Sequence, residues 1–145
     1  HDEHTLAPAK ARAYELPSLS GQESDEIVIL LMSLPNPSQE VINCIENAVE
    51  WFKSSKIEGI KKEFFTNDEG KKDYRMVPCT DCPPLWARFY TLEDNRPFFS
   101  DRDGVKKFDI SKIGHERRNG YSWYNSDGLK VLKKYEQWKK KNKIQ

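Results

Sequence analysis

"SQEVINCIENAVEWFKSSKI", residues 38–57, is the stretch on which the fold class turns. Val41, Ile42, Ile45, Ala48, Val49 and Phe52 recur at spacings of three and four, the period of a helix with one apolar face. Ser38 stands just ahead of them, where a hydroxyl can accept from the first free backbone N–H groups. The stretch predicts a helix over 38–56 that lays one face on a core.

Working outward, "SGQE" at Ser20–Glu23 has the form of a capping box and opens a short helix through Leu31, with Ile27, Leu30 and Leu31 on one face. "PNP" at 35–37 ends it, because proline cannot continue the backbone ladder. At the other end, "SDGLKVLKKYEQWKKKNK" (126–143) predicts a final helix with Leu129, Leu132 and Tyr135 inward and lysines in its last turn, where the helix dipole favours cations. Between them, "NDEGKKD" (67–73) is a polar loop, and "YRMVPC" (74–79), "LWARFY" (85–90) and "GVKKFDI" (104–110) are short strands divided by Pro, Asn, Asp and Gly. The expected fold is therefore mainly α, with a small antiparallel β element over roughly 74–109.

Composition sets bounds on function. The 145 residues fit one domain, 1–145, with one core. Lys and Arg number 24 against 23 acids, so no overall field directs the chain to nucleic acid or a membrane surface. Mean hydropathy is −0.85 and no apolar run has the length of a membrane span, so a soluble chain without a signal peptide is expected. Cys44, Cys79 and Cys82 are too few for a disulfide-built fold.

Chemistry can therefore only be local. In "PPLWARFYTLEDNRPFFSDRDG" (83–104), strand alternation would put Trp86, Arg88 and Tyr90 on one face. That mixture suits an acidic sugar: flat rings cover its apolar faces, and a guanidinium fork takes its carboxylate. An ordinary amphipathic strand with a stacked surface arginine has the same pattern. Arg96 and Arg102 follow among Asp94, Asp101 and Asp103, an alternation that also describes local salt bridges. "DRDG" lacks the remaining ligand positions of a calcium loop. Cys79 and Cys82 form a CxxC without a second ligand pair for zinc, and Pro83 and Pro84 follow where a redox motif needs a helix; a local disulfide or two thiols remain. His1, His4 and His115 have no ligand or triad spacing, so no metal site is expected in the chain. No Gly-rich phosphate loop, GxSxG elbow or basic-aromatic stripe is present, which removes kinases, hydrolases of that class and nucleic-acid modules.

Six stretches, in order, carry a resemblance: "TLAPAKARAYELPSLSGQES" (5–24), "SLPNP" (33–37), "AVEWF" (48–52), "PPLWARFY" (83–90), "NRPFFSDRDGVKK" (95–107) and "ERRNGYSWY" (116–124). Over nearly all of residues 1–136 the chain resembles the C-terminal part of the catalytic module of family ten pectate lyases. The resemblance implies a portion of an α/α toroid with a crossing cleft, secretion by a bacterium, and calcium-assisted β-elimination of polygalacturonate. It further implies that Arg12 matches the arginine base, and that Arg88 and Arg102 match binders of substrate carboxylates; strand alternation adds Trp86 and Tyr90 as candidate substrate-binding residues, and Arg96 follows them in the sequence. A guanidinium titrates above about 12, so a base role needs help, and calcium on the uronate carboxylate would acidify the adjacent proton. A whole module of that family is roughly twice this length, above the usual domain size. The resemblance implies that the calcium ligands and the opposite wall of the cleft lie in the first half of the module, outside this chain.

Three functions stay open on these grounds: part of a pectate lyase that is active when completed, a non-catalytic pectate-binding module derived from one, or a domain whose arginines serve only in salt bridges.

Overall fold

The computed structural model describes residues 1–142. In chain order the elements are β1 (Leu19–Ser20), α1 (Glu23–Ser33), α2 (Gln39–Ser54), β2 (Ile60–Thr66), β3 (Lys72–Pro78), β4 (Trp86–Ala87), β5 (Phe89–Tyr90), β6 (Pro97–Ser100), β7 (Lys106–Lys107), a 3₁₀ turn (Ile110–Lys112), α3 (His115–Asn119), β8 (Tyr124–Asn125) and α4 (Gly128–Asn142). Lys143, the last residue of the predicted final helix, lies outside the described residues.

Helix α2 forms where its periodicity places it. The Ser38 hydroxyl accepts from Val41 N–H, and Ile45, Val49 and Phe52 are fully buried. They meet Val28 of α1 and Val131, Tyr135 and Trp138 of α4 in a helical core that also takes in the Trp86 ring. The start of α4 is shaped by that ring: a Cβ on Gly128 would stand 2.5 Å from Trp86 Cε2, so only glycine fits. The inward faces of α1 and α4 match the expected ones in part: Leu31, Leu132 and Tyr135 pack on this core. Ile27, Leu30 and Leu129 are exposed, while Val28 and Val131 are buried.

A second core, of Tyr74, Phe89, Phe98, Phe99, Ile110, Ile113 and Trp123, lies under the sheets. One antiparallel sheet has the order β1-β5-β6-β7, and two further pairs, β2-β3 and β4-β8, stand apart from it. The expected mainly α fold is thus corrected to a mixed one: the chain is 35% helical and 21% strand, and its strands run from β1 to β8 rather than over 74–109 alone. The physical reason is local. In "IKKEFFT" Lys61, Lys62 and Glu63 interrupt the apolar alternation, so β2 carries no strand signature of its own; it is held by seven register pairs with β3, from Ile60 opposite Pro78 to Thr66 opposite Lys72.

Cys79 and Cys82 are joined by a disulfide that closes the loop after β3, and Cys44 is a free, exposed thiol. None of the described helices is long and apolar enough to cross a membrane.

Candidate functional site

The site is built at one end of the four-stranded sheet. β5 and β6 pair Phe89 with Phe98 and Tyr90 with Pro97. Arg88, just before β5, and Arg102, just after β6, therefore come to the same end of the hairpin. Arg96 sits in the connecting turn at the other end, its guanidinium 4.0 Å above the Phe108 ring, so it is not brought to the site.

The segment carrying Arg12 is fastened across that end. Ser100 Oγ donates to the Tyr14 carbonyl, and the β6–β7 turn packs close at Gly104, whose φ of +66° and position by the Ala13 carbonyl (3.1 Å from a hypothetical Cβ) suit glycine. A turn closed by Glu15 N–H to Arg12 O at 2.9 Å then folds Arg12 back on Glu15. Arg12 Nε donates to Glu15 Oε2 at 2.9 Å and Nη2 to Oε1 at 2.5 Å. The pairing with Arg12, ahead of a smaller contribution from Tyr121, lowers the Glu15 pKa to about 2, and the same pair raises that of Arg12.

From Glu15 the contacts spread in both directions. Tyr121 donates its hydroxyl to Glu15 Oε1 at 2.7 Å, and its ring lies 4.3 Å from the Arg88 guanidinium. Arg88 also donates to Gln22 at 3.1 Å and pairs with Glu23. On the other side Tyr14 meets Tyr121 edge-on at 5.4 Å and carries Arg12 at 5.2 Å and Arg117 at 3.9 Å. Arg117 reaches Glu116 at 3.6 Å, and Glu116 pairs with Arg102 at 3.2 Å. Four guanidinium groups are thus joined by contiguous contacts through two half-buried tyrosines and balanced by three carboxylates, those of Glu15, Glu23 and Glu116. Burial, then the bond to Glu15, pushes the Tyr121 pKa upward, so the hydroxyl stays a neutral donor. Arg88 Nε and Arg117 Nε are buried with no partner among the described residues. Beside this network a groove of about 420 Å³ runs along Pro8, Ala11, Glu15, Leu19, Glu23 and Tyr121.

Of the residues expected at the site, Arg12, Arg88 and Arg102 are brought together, and each already holds a carboxylate of its own. Arg12 and Arg102 are largely exposed, whereas the Arg88 side chain is 16% exposed. The expected platform of Trp86 and Tyr90 is corrected, because both rings are core. Trp86 is wholly buried and donates Nε1 to Phe52 O at 2.9 Å; Tyr90 donates its hydroxyl to Ser55 O at 2.8 Å and accepts from Ala87 N–H. Their polar groups are satisfied internally and neither ring is available to a sugar. The aromatics that do flank the arginines are Tyr14 and Tyr121. They and Arg117 fall within "TLAPAKARAYELPSLSGQES" (5–24) and "ERRNGYSWY" (116–124), where no spacing distinguishes them from their neighbours.

The acidic residues of "DRDG" do not fit calcium. Asp101 accepts from the backbone N–H groups of Gly114 (2.6 Å) and Arg102 (2.8 Å), and Asp103 pairs with Lys107 at 2.5 Å. Among the described residues no group of three or more His, Cys, Asp or Glu side chains could hold a metal ion.

The family model described as pectic acid lyase matches residues 1–132. The chain belongs to that family. Among solved structures, the chain is similar to a family 10 polysaccharide lyase from Cellvibrio cellulosa, and to a mutant of that lyase in complex with trigalacturonic acid. Each is 39% identical with a TM-score of 0.76, over 90% of this chain and 39% of the other. This chain therefore spans 39% of the length of those solved relatives. No curated protein matches it significantly.

Proposed function

We propose that the chain recognises de-esterified homogalacturonan, the polymer of galacturonate, through the arginine network around Tyr14 and Tyr121, as the C-terminal portion of a pectate lyase. The observation that carries the reading is that network: three guanidinium groups on the rings of Tyr14 and Tyr121 and a fourth, of Arg102, joined through Glu116, in a family whose solved relative was captured with trigalacturonic acid. Arg88 and Arg102 take uronate carboxylates in place of Glu23 and Glu116, exchanging one charge-assisted pair for another. Tyr14 and Tyr121 give the sugar rings an apolar surface.

Cleavage by β-elimination belongs, on this proposal, to the completed fold, with Arg12 facing the proton beside the uronate carboxylate. Calcium is the family's cofactor by resemblance, and since no group of side chains among the described residues fits it, its ligands are proposed to lie outside the chain. Secretion into an oxidising space is part of the same proposal, and the Cys79–Cys82 disulfide agrees with it.

A second reading, a non-catalytic pectate-binding module, is favoured by the Arg12–Glu15 pair. Paired with Glu15, the Arg12 guanidinium is held more firmly in its charged form and is a poorer base. An absorbance assay for the unsaturated product of polygalacturonate, with calcium added and the chain joined to the N-terminal part of a family 10 lyase module, separates the two: turnover supports the first reading, and binding without turnover the second. The isolated chain is expected to bind without turnover; turnover would place the whole catalytic apparatus within these residues.

A further inference from the structure

Away from the arginine network, a pocket of about 290 Å³ opens between the β2–β3 hairpin, the disulfide loop and the β4–β8 pair, lined by Ile60, Lys62, Pro83, Leu85, Tyr124 and Asn125. Of the two lysines that line it, Lys61 is exposed and Lys62 is half-buried. The Lys62 ammonium donates to the Tyr124 carbonyl at 3.2 Å and stands 5.1 Å above the Tyr74 ring, yet no carboxylate among the described residues lies within 4 Å of it. Lys53, Lys71 and Lys107, by contrast, each pair with a carboxylate.

An ammonium has three N–H donors, and here one is accounted for by a protein acceptor. A charge removed from water without an opposing charge is costly, and an anion in the pocket would offset that cost. Burial alone lowers the Lys62 pKa, with no acidic neighbour acting against it. The walls fit a small amphipathic anion. Ile60, Pro83 and Leu85 are apolar, Tyr124 adds a ring, and the Cys79–Cys82 disulfide holds the loop that carries Pro83. The volume is at the low end for ligand pockets, suited to one sugar unit rather than a chain.

We infer that this pocket is a second carboxylate-binding subsite, in which the Lys62 ammonium takes the carboxylate of one uronate while Pro83, Leu85 and Tyr124 cover its ring. The choice of a uronate rests on the pectate reading above; the carboxylate class rests on Lys62 and its pocket.

Galacturonate titrated into the isotope-labelled chain tests this by NMR, with neutral galactose as the control. Galacturonate should move the Lys62 ε-methylene signal and the Tyr124 and Asn125 amides, and should raise the Lys62 pKa toward its ordinary value; galactose should do neither. Lys62→Met, which keeps the side-chain volume, should weaken that response about tenfold or more, whereas Arg88→Ala should leave it in place. An unmoved Lys62 signal, or a folded Lys62→Met chain that keeps the response, overturns the subsite. Responses at Arg88 and Tyr121 without one at Lys62 would overturn the subsite and leave the pectate reading standing. A Lys62 response to galacturonate and acetate alike, in a chain that polygalacturonate does not retain, would support the carboxylate subsite and overturn the pectate reading.

Discussion

The Arg12 guanidinium grips the Glu15 carboxylate at two points, at 2.9 and 2.5 Å, and Tyr121 donates to the same carboxylate from the other side. Glu15 therefore occupies the position toward Arg12 that a uronate carboxylate would need. Glu15→Gln removes the competing charge while keeping the shape, so affinity for polygalacturonate should rise by a small factor, in line with the modest value of exposed ion pairs. Isothermal titration against trigalacturonic acid would measure it, and a fall in affinity would mean that Glu15 positions Arg12 rather than competing for it.

Arg88→Ala and Arg102→Ala should each weaken pectate binding by roughly 1.5–3 kcal/mol, the range for hydrogen bonds to charged groups, and Arg12→Ala by less. Arg96→Ala should change nothing, because Arg96 lies at the far end of the β5–β6 hairpin against Phe108. Affinity gels containing polygalacturonate rank the four variants directly. Retention of wild-type mobility shifts by both Arg88→Ala and Arg102→Ala would move the site elsewhere.

Trp86→Ala should act on stability and not on sugar contact. The ring is wholly buried in the helical core with its N–H satisfied by Phe52, so its loss should cost about 3–5 kcal/mol. Gly128→Ala should destabilise by about 1–3 kcal/mol, because the added methyl would meet Trp86 at 2.5 Å, against a ring that is packed on every side. Urea denaturation measures both, and an unchanged midpoint for Gly128→Ala would show that the start of α4 can shift away.

The contrast between α2 and the segment around Arg88 shows what a single sequence makes legible. Ser38 and the stripe from Val41 to Phe52 act within one helix, where cap and period are local, and they read correctly. Around Arg88 the alternation reading assumes one continuous strand. Instead the chain breaks at Arg88: Trp86 and Ala87 pair with β8, while Phe89 and Tyr90 pair with β1 and β6. Trp86 and Tyr90 both turn into the interior against the end of α2, donating to Phe52 O and Ser55 O, while the Arg88 guanidinium lies by the Tyr121 ring. Tyr121 and Arg117 approach Tyr14 across more than a hundred residues, and no spacing rule connects them.

Acid should loosen the fold through two carboxylates. Glu15 has its pKa lowered from 4.5 to about 2 by Arg12, and Asp73 is held well below the ordinary range, chiefly by hydrogen bonds from Arg118. A depressed carboxylate stabilises the fold above its unfolded pKa and loses that contribution as pH falls through the folded value, here from about pH 4.5 downward. Asp25, which burial raises, acts in the opposite sense and loses its contribution as pH rises. The urea midpoint should fall on going from pH 5 to pH 2, and Asp73→Asn should be less stable near neutrality with a flatter profile below about pH 4.5. An equally steep profile in that variant would remove Asp73 from the account.

Electrophoresis of the isolated chain through gels containing polygalacturonate, beside gels containing fully methyl-esterified pectin, tests the central claim most directly. Recognition through guanidinium–carboxylate pairs predicts retardation by polygalacturonate alone, relieved by added salt and by Arg88→Ala. Equal mobility in the two gels, or equal retardation by the neutral polymer, would contradict it.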